Sequence, residues 1–318
     1  MSSSGKKILV TPRSLTRNGH PLLEQLVDAG YSVEMPFPGR QPTETELLSI
    51  LPECCGYLAG VEKISGALLE QCPNLKVISR NGVGFENIDA EAAQRLGIAV
   101  RITRGANSRG VAELTIGLLF SLVRGIPASN SSIRQGGWDR SIGFELAGKT
   151  LGIVGTGQIG QHVARLAAAL GMSILAYDLY PAEGLKESVP SLRYTDIDTL
   201  FAGSDAVSLH RPAGERPLIS GDLLGKMKQG SYIINTARAA LVDQQAMLEA
   251  LTDGRISGYA VDAFESEPPE LTPMLLHPGV VLTAHIGGFT RESIHRATEG
   301  AIANLLEVLE HGAGSNIA

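Results

Sequence analysis

Residues 150–171 read TLGIVGTGQIGQHVARLAAALG, and the reading of this stretch decides the fold. Its first residues are an apolar run of strand type. Gly155, Gly157 and Gly160 follow in G-x-G-x-x-G spacing around Gln158 and Ile159, and an amphipathic helical pattern opens directly behind them. A glycine triplet alone is a weak signal; between a strand and a helix it has a physical meaning. The first glycine permits a tight turn. The second lets the backbone approach a pyrophosphate, and the third lets helix and strand pack closely, with the phosphate at the helix N-terminus. The next apolar run, SILAYD, ends in Asp178. An acid there accepts hydrogen bonds from adenine-ribose hydroxyls and repels a 2′-phosphate. No Arg or Lys follows in DLYPAE, so the loop is expected to take NAD rather than NADP. The competing reading is an ordinary glycine-rich turn with a surface acid. Loop, context and acid together weigh against it.

The same rhythm runs outward in both directions. KILVTP, YSVEMP, GYLAG, LKVISR and IAVRIT read as buried strands before the loop, separated by helical stretches such as HPLLEQLVDAG and DAEAAQRLG. Each of those two ends in glycine, a usual helix stop. From Lys149 a second series runs KTLGIVG, SILAYD, DAVSLH, SYIINTA, GYAVDAF and VVLTAH. Strands alternating with helices imply parallel sheets covered on both faces. The fold class is therefore α/β with two doubly wound parallel-sheet domains. An apolar helix over about Ser108–Arg124 lies between the series, and a long helical stretch from Thr290 follows the second. That last helix is long enough to return to the first domain. The expected organisation is a discontinuous domain, 1–103 plus 289–318, with a continuous domain, 104–288, inserted.

Composition excludes other classes. With 318 residues, 43% hydrophobic and 19% charged, the chain is globular. A net charge of −6 argues against nucleic acid as a partner. No apolar run reaches membrane-spanning length, and the MSSSGKKILV start has no secretory pattern. Three cysteines, Cys54, Cys55 and Cys72, suggest neither a disulfide framework nor a metal site, and a cytoplasmic setting is expected.

Several strands of the second series end in a conspicuous polar group. SYIINTARAALVD begins as an interior strand and then presents Arg238 among small side chains. An arginine there either snorkels to water or meets an anion. GYAVDAFESEP supplies Asp262 and Glu267, and VVLTAHIGG supplies His285. In an open parallel sheet ligands bind beyond the carboxyl ends of the strands, so all of these face the cofactor side. Reduction of a 2-oxo acid needs a proton donor to the carbonyl, a cation for the carboxylate and a fixed nicotinamide. Histidine titrates in the right range, a nearby carboxylate orients it, and arginine grips a carboxylate through two hydrogen bonds. On this reading the anion that Arg238 meets is the substrate.

With these residues in place the sequence resembles the D-isomer-specific 2-hydroxyacid dehydrogenases, nearest the D-3-phosphoglycerate dehydrogenase branch. The likeness spans nearly the whole chain and rests on SRNGVGFENID, NSRGVAEL, LGIVGTGQIG with AYD, DAVSLHRP, INTARAALVD, VDAFESEP and TAHIGG, in order. It implies a flavodoxin-like substrate domain and a Rossmann-like NAD domain with the active site in the cleft, and a homodimer formed through the larger domain. It implies Arg238 on the substrate carboxylate and carbonyl, His285 as acid/base and Glu267 as its partner. Asp262 would meet the nicotinamide carboxamide. Asn81, Gly82, Val83 and Gly84 would hold the substrate carboxylate. Cofactor contacts would come from Gly155, Gly157, Gln158, Ile159, Gly160, Asp178, the His210–Pro212 turn, Thr236 and Ala237. The implied reaction passes a hydride between nicotinamide and C2 of a small D-2-hydroxy acid or 2-oxo acid. Whether that acid has an anionic distal group (3-phosphoglycerate, hydroxypyruvate or glyoxylate type) stays open.

The sequence also departs from the family. Ala239 stands where Gly or Pro is usual, and Glu86 where Asp is usual. Ala59 or Gly60 replaces the arginine that reaches the phosphate in phosphoglycerate enzymes, while Arg80 and Arg124 match basic positions of that branch. The alternatives are an NAD-sensing binding protein without catalysis, and a phosphite- or phosphonate-type oxidoreductase of the same fold.

Overall fold

Short runs of β-branched and aliphatic residues form twelve strands among the described residues, and in both sheets they are parallel. The computed structural model describes residues 6–312. Strands of parallel sheets are covered on both faces, which is why these runs read as nearly continuous apolar stretches. The chain forms two compact units, Met1–Asn107 with Arg291–Ala318, and Ser108–Thr290. Both divisions fall a few residues after the borders expected from the sequence.

The first unit carries β1 (Lys7–Val10), β2 (Ser32–Glu34), β3 (Cys54–Ala59), β4 (Val77–Arg80) and β5 (Ala99–Arg101), in the order β2-β1-β3-β4-β5. Alternation splits the strand residues between two cores. Leu9, Tyr57, Ile78 and Val100 pack on one face with Leu47, Leu68 and Ala92. Ile8, Leu58, Val77 and Ala99 pack on the other with Ala301, Ile302 and Leu305 of the Arg291–His311 helix. The long C-terminal helix thus belongs to this unit. Gly56 lets it approach: a Cβ there would stand 3.3 Å from the side chains of Leu305 and Leu309.

The second unit carries β6 (Thr150–Val154), β7 (Ser173–Tyr177), β8 (Leu192–Tyr194), β9 (Ala206–Leu209), β10 (Ser231–Asn235), β11 (Ile256–Val261) and β12 (Val280–Leu282). Their order is β12-β11-β10-β9-β6-β7-β8. The Ser108–Val123 and Gln158–Ala169 helices cover one face, placing Leu118, Leu119 and Leu122 with Val163, Ala164 and Ala167 against Ile153, Ile174 and Ile234. The other face packs Val207, Ile233 and Tyr259 against Phe201, Leu224 and Met247. No single helix among the described residues is long and apolar enough to cross a membrane.

Two features differ from the sequence expectation. β8 was not anticipated: it is an edge strand of three residues, and only Leu192 is buried. HPLLEQLVDAG is not one helix. Pro21 opens a 3₁₀ turn, Pro21–Leu23, and an α-helix follows over Glu24–Asp28. Each sheet has one point where strand order reverses, between β1 and β3 in the first and between β6 and β9 in the second. At such points the loops leave in opposite directions and open a crevice for ligands.

Candidate active site

The glycine loop sits at the β6/β9 reversal. Gly155 has φ +100°, and a Cβ on it would meet the His210 carbonyl oxygen at 2.4 Å. A Cβ on Gly160 would meet the Gly155 carbonyl oxygen at 2.0 Å, so helix and strand pack closer than any side chain allows. Gly157 is different: a Cβ there would have nothing within 4 Å. Its side-chain space is an open cradle. The amides of Gly157, Gln158, Ile159 and Gly160 have no acceptor among the described residues, and they open a helix of 12 residues. Such a helix start suits a pyrophosphate. Asp178, at the end of β7, accepts from the Thr156 amide at 2.6 Å and the Tyr180 amide at 2.9 Å. The acid therefore braces the loop. The Tyr194 hydroxyl on β8 completes the brace, donating to the Thr156 hydroxyl at 3.1 Å and accepting from the Ala182 amide at 3.0 Å.

Beyond β9, His210 pairs Nε2 with the Ser208 hydroxyl at 2.8 Å, while Nδ1 is buried without a partner. Burial pulls its pKa down to about 3, so the ring is neutral. Pro212 follows it on the surface. Beyond β10, the fully buried Asn235 shapes the turn. Its Oδ1 accepts from the Ala237 amide at 3.1 Å, and its Nδ2 donates to the Arg238 carbonyl at 2.8 Å. Thr236 shares a 2.9 Å hydroxyl contact with Thr115. Arg238 is half-buried and donates from Nη1 to the Ala237 carbonyl at 2.9 Å. Ala239 is not in the left-handed region, so alanine there carries no backbone strain.

The segments after β11 and β12 bring Glu267 and His285 together. His285 Nδ1 lies 2.5 Å from Glu267 Oε1, and Nε2 has no partner among the described residues. His285 also has φ +51°, the only non-glycine residue with positive φ among those described. Such a backbone costs of order 1–3 kcal/mol and persists where its surroundings over-determine it. Here they do. Buried Asp262 accepts from the Thr283 hydroxyl at 2.6 Å and the Ile286 amide at 2.8 Å through Oδ1, and from the Gly287 amide at 2.8 Å through Oδ2. One carboxylate clamps the chain on both sides of His285. Its hydrogen bonds serve the histidine turn, a role that the resemblance to the family did not suggest.

In the first unit, Asn81–Gly84 follows β4. The Gly82 carbonyl accepts from the Thr103 amide at 3.0 Å, and the amides of Gly82, Val83 and Gly84 have no acceptor among the described residues. Asn81 Oδ1 is buried and unpartnered.

Residues 116–287 match the D-isomer specific 2-hydroxyacid dehydrogenase family in its NAD-binding domain. A hydroxypyruvate reductase from Thermotoga maritima is 41% identical over 79% of this chain and 83% of its own length. The chain belongs to the D-isomer specific 2-hydroxyacid dehydrogenases. A D-3-phosphoglycerate dehydrogenase from Methanocaldococcus jannaschii is 39% identical over 80% of this chain and 49% of its own length. The crystal structure of a glyoxylate reductase from Paecilomyes thermophila superimposes with a TM-score of 0.84 at 28% identity, over 99% of this chain and 98% of that one. The protein is thus an NAD-dependent oxidoreductase of 2-hydroxy or 2-oxo acids. The open cradle at Gly157 and the unengaged amides after it fit the dinucleotide.

Within the second unit, the glycine loop, Asp178, His210, Thr236–Arg238, Asp262 and His285 all lie beyond the carboxyl ends of β6, β7, β9, β10, β11 and β12. Glu267 joins them through its bond to His285. Tyr194 and Asn235 were missed in the sequence. Tyr194 sits on the unrecognised edge strand. Asn235 had a legible signal, an amide side chain ending a buried strand directly before a turn.

Proposed function

We propose that this dehydrogenase interconverts small 2-oxo acids and D-2-hydroxy acids with NAD(H) in preference to NADP(H). When bound, NADH would supply the hydride that C2 of the oxo acid receives in reduction. His285 Nε2 gives its proton to the carbonyl oxygen, and in oxidation it takes that proton back. Glu267 orients the ring through Nδ1. Arg238 grips the substrate carboxylate, and the unengaged amides of Gly82, Val83 and Gly84, beside Asn81, bind the same group. Gly155, Gly157, Gln158, Ile159 and Gly160 receive the pyrophosphate, and Asp178 the adenine ribose. His210, Pro212, Thr236 and Ala237 line the cofactor, and Asp262 offers Oδ2, which among the described residues accepts one hydrogen bond, to the nicotinamide carboxamide.

The observation that carries this reading is the His285–Glu267 pair, held at 2.5 Å on a clamped, strained turn with Nε2 left available. NADH oxidation with glyoxylate, hydroxypyruvate, pyruvate, 3-phosphohydroxypyruvate and phosphonopyruvate tests it. Turnover of at least one 2-oxo acid is expected, and none with any of them would refute the reading. Exposed Ile126, Ile133, Trp138 and Ile142 form an apolar stretch that supports a homodimer. Cys54, Cys55 and Cys72 are all free thiols, which supports a reducing, cytoplasmic setting.

A further inference from the structure

The carboxyl edge of the five-stranded sheet holds a buried acid that the proposed reaction does not use. Glu62 lies just beyond β3 and is 2% exposed. Its Oε1 accepts from the Thr11 hydroxyl, from the Tyr57 hydroxyl at 2.5 Å and from the Gly60 amide at 2.7 Å. Burial, and next the charge of Glu62, hold the Tyr57 phenol well above its ordinary pKa, so it stays protonated and donates. Three donors on one oxygen fix the carboxylate in place. Oε2 has no hydrogen-bond partner among the described residues. A Cβ on Gly60 would stand 2.6 Å from Oε2, so the glycine makes room for this placement.

The position has consequences. Thr11 follows β1 and Tyr57 lies in β3, the two strands between which this sheet reverses its order. The neighbouring strand leads to the Asn81–Gly84 loop: the Asn81 amide donates to the Ala59 carbonyl at 3.1 Å. A 2-oxo acid with its carboxylate on that loop directs its C3 substituent at adjoining elements, of which the Gly60–Glu62 turn is one. We infer that Glu62 selects the substrate, excluding 2-oxo acids with a second anionic group and admitting small uncharged ones, including those whose C3 hydroxyl can donate to Oε2. The inference rests on the function proposed above. Arg80 opposes it, since its guanidinium lies close by, donating to the Ala59 and Asn81 carbonyls at 3.4 Å. Arg80 is only half-buried while Glu62 is almost wholly buried, and a buried charge is screened less than one that solvent reaches.

The experiment measures kcat/KM for hydroxypyruvate and 3-phosphohydroxypyruvate with NADH, in the wild type and in Glu62→Gln. Glutamine keeps the shape and an acceptor for the three donors but removes the charge. The wild type should favour hydroxypyruvate by about tenfold or more, the scale of one weakly screened like-charge contact. Glu62→Gln should shift the ratio toward the phosphorylated substrate by about the same factor. Equal or better wild-type turnover of 3-phosphohydroxypyruvate, or an unchanged ratio in Glu62→Gln, overturns the inference. If the variant does not fold, the wild-type ratio decides alone. A wild type inactive on every 2-oxo acid overturns the proposed function and this inference with it, whereas activity with the wrong ratio overturns only the inference.

Discussion

At the β6/β9 reversal the chain leaves space: Gly157 has open room where a side chain would be, and four successive amides have no acceptor among the described residues. At the β1/β3 reversal it fills the space with its own side chains, Glu62, Thr11 and Tyr57, around one carboxylate oxygen. Both sheets are parallel and both reverse once. Topology marks where a ligand can bind, and side chains decide whether one enters. The first reversal suits a phosphate-bearing cofactor. The second is closed by a fixed negative charge, which turns it from a binding crevice into a filter.

If the chemistry belongs to the open edge, the largest effects should come from there. His285→Ala should lower kcat by about 10²–10⁴-fold while NADH still binds, the usual worth of a positioned acid/base. Near-normal turnover would remove His285 from the reaction. Arg238→Lys keeps the charge and loses the planar two-pronged grip, so kcat/KM should fall about 10–100-fold with little change in NADH affinity. A small stability loss with normal kinetics would make Arg238 a snorkelling surface residue instead. Gly157→Ala should fold normally, with nothing within 4 Å of the new methyl, yet weaken NADH binding about tenfold or more by displacing the pyrophosphate from the amides. Gly160→Ala should fail to fold well, because its methyl would sit 2.0 Å from the Gly155 carbonyl oxygen. Equal behaviour of the two variants would show that Gly157 is not a cradle.

The last effect concerns stability and pH, not turnover. His210, half-buried with a buried Nδ1, is held neutral with a pKa of about 3, against an ordinary value of 6.5. A histidine whose folded pKa is depressed binds fewer protons folded than unfolded, so its contribution is full above about 6.5 and is lost as pH falls toward 3. Between pH 7 and pH 5 the loss should be about 2 kcal/mol. Denaturant titrations at the two pH values check this, and His210→Gln should flatten the difference.

Much of this could be read in the sequence because it is written in period and punctuation. The glycine spacing, Asp178 at a strand end, and His285 before two glycines each combine a residue type with a place in the βα rhythm. The Asp262 clamp was less legible. Its partners are mostly backbone amides, which every residue has, so no side-chain pattern announces it. The left-handed conformation of His285 was also invisible, since histidine adopts positive φ more often than most residues but far too rarely to predict it. β8 was lost for want of length. Glu62 was hidden for another reason: an acid within GYLAGVEK reads as a loop charge, and only the fold brings Thr11 and Tyr57 to it.

The central claim is that hydride passes between NAD(H) and C2 of a 2-oxo acid under control of the His285–Glu267 pair. It is tested most directly with NADH carrying deuterium at C4, incubated with the wild-type protein and hydroxypyruvate or glyoxylate, with the product read by mass spectrometry. The account predicts one deuterium at C2 of the hydroxy acid from one of the two C4-labelled isomers, and almost none in the same time from His285→Ala. Tight NADH binding with no label in the product from either isomer would contradict it.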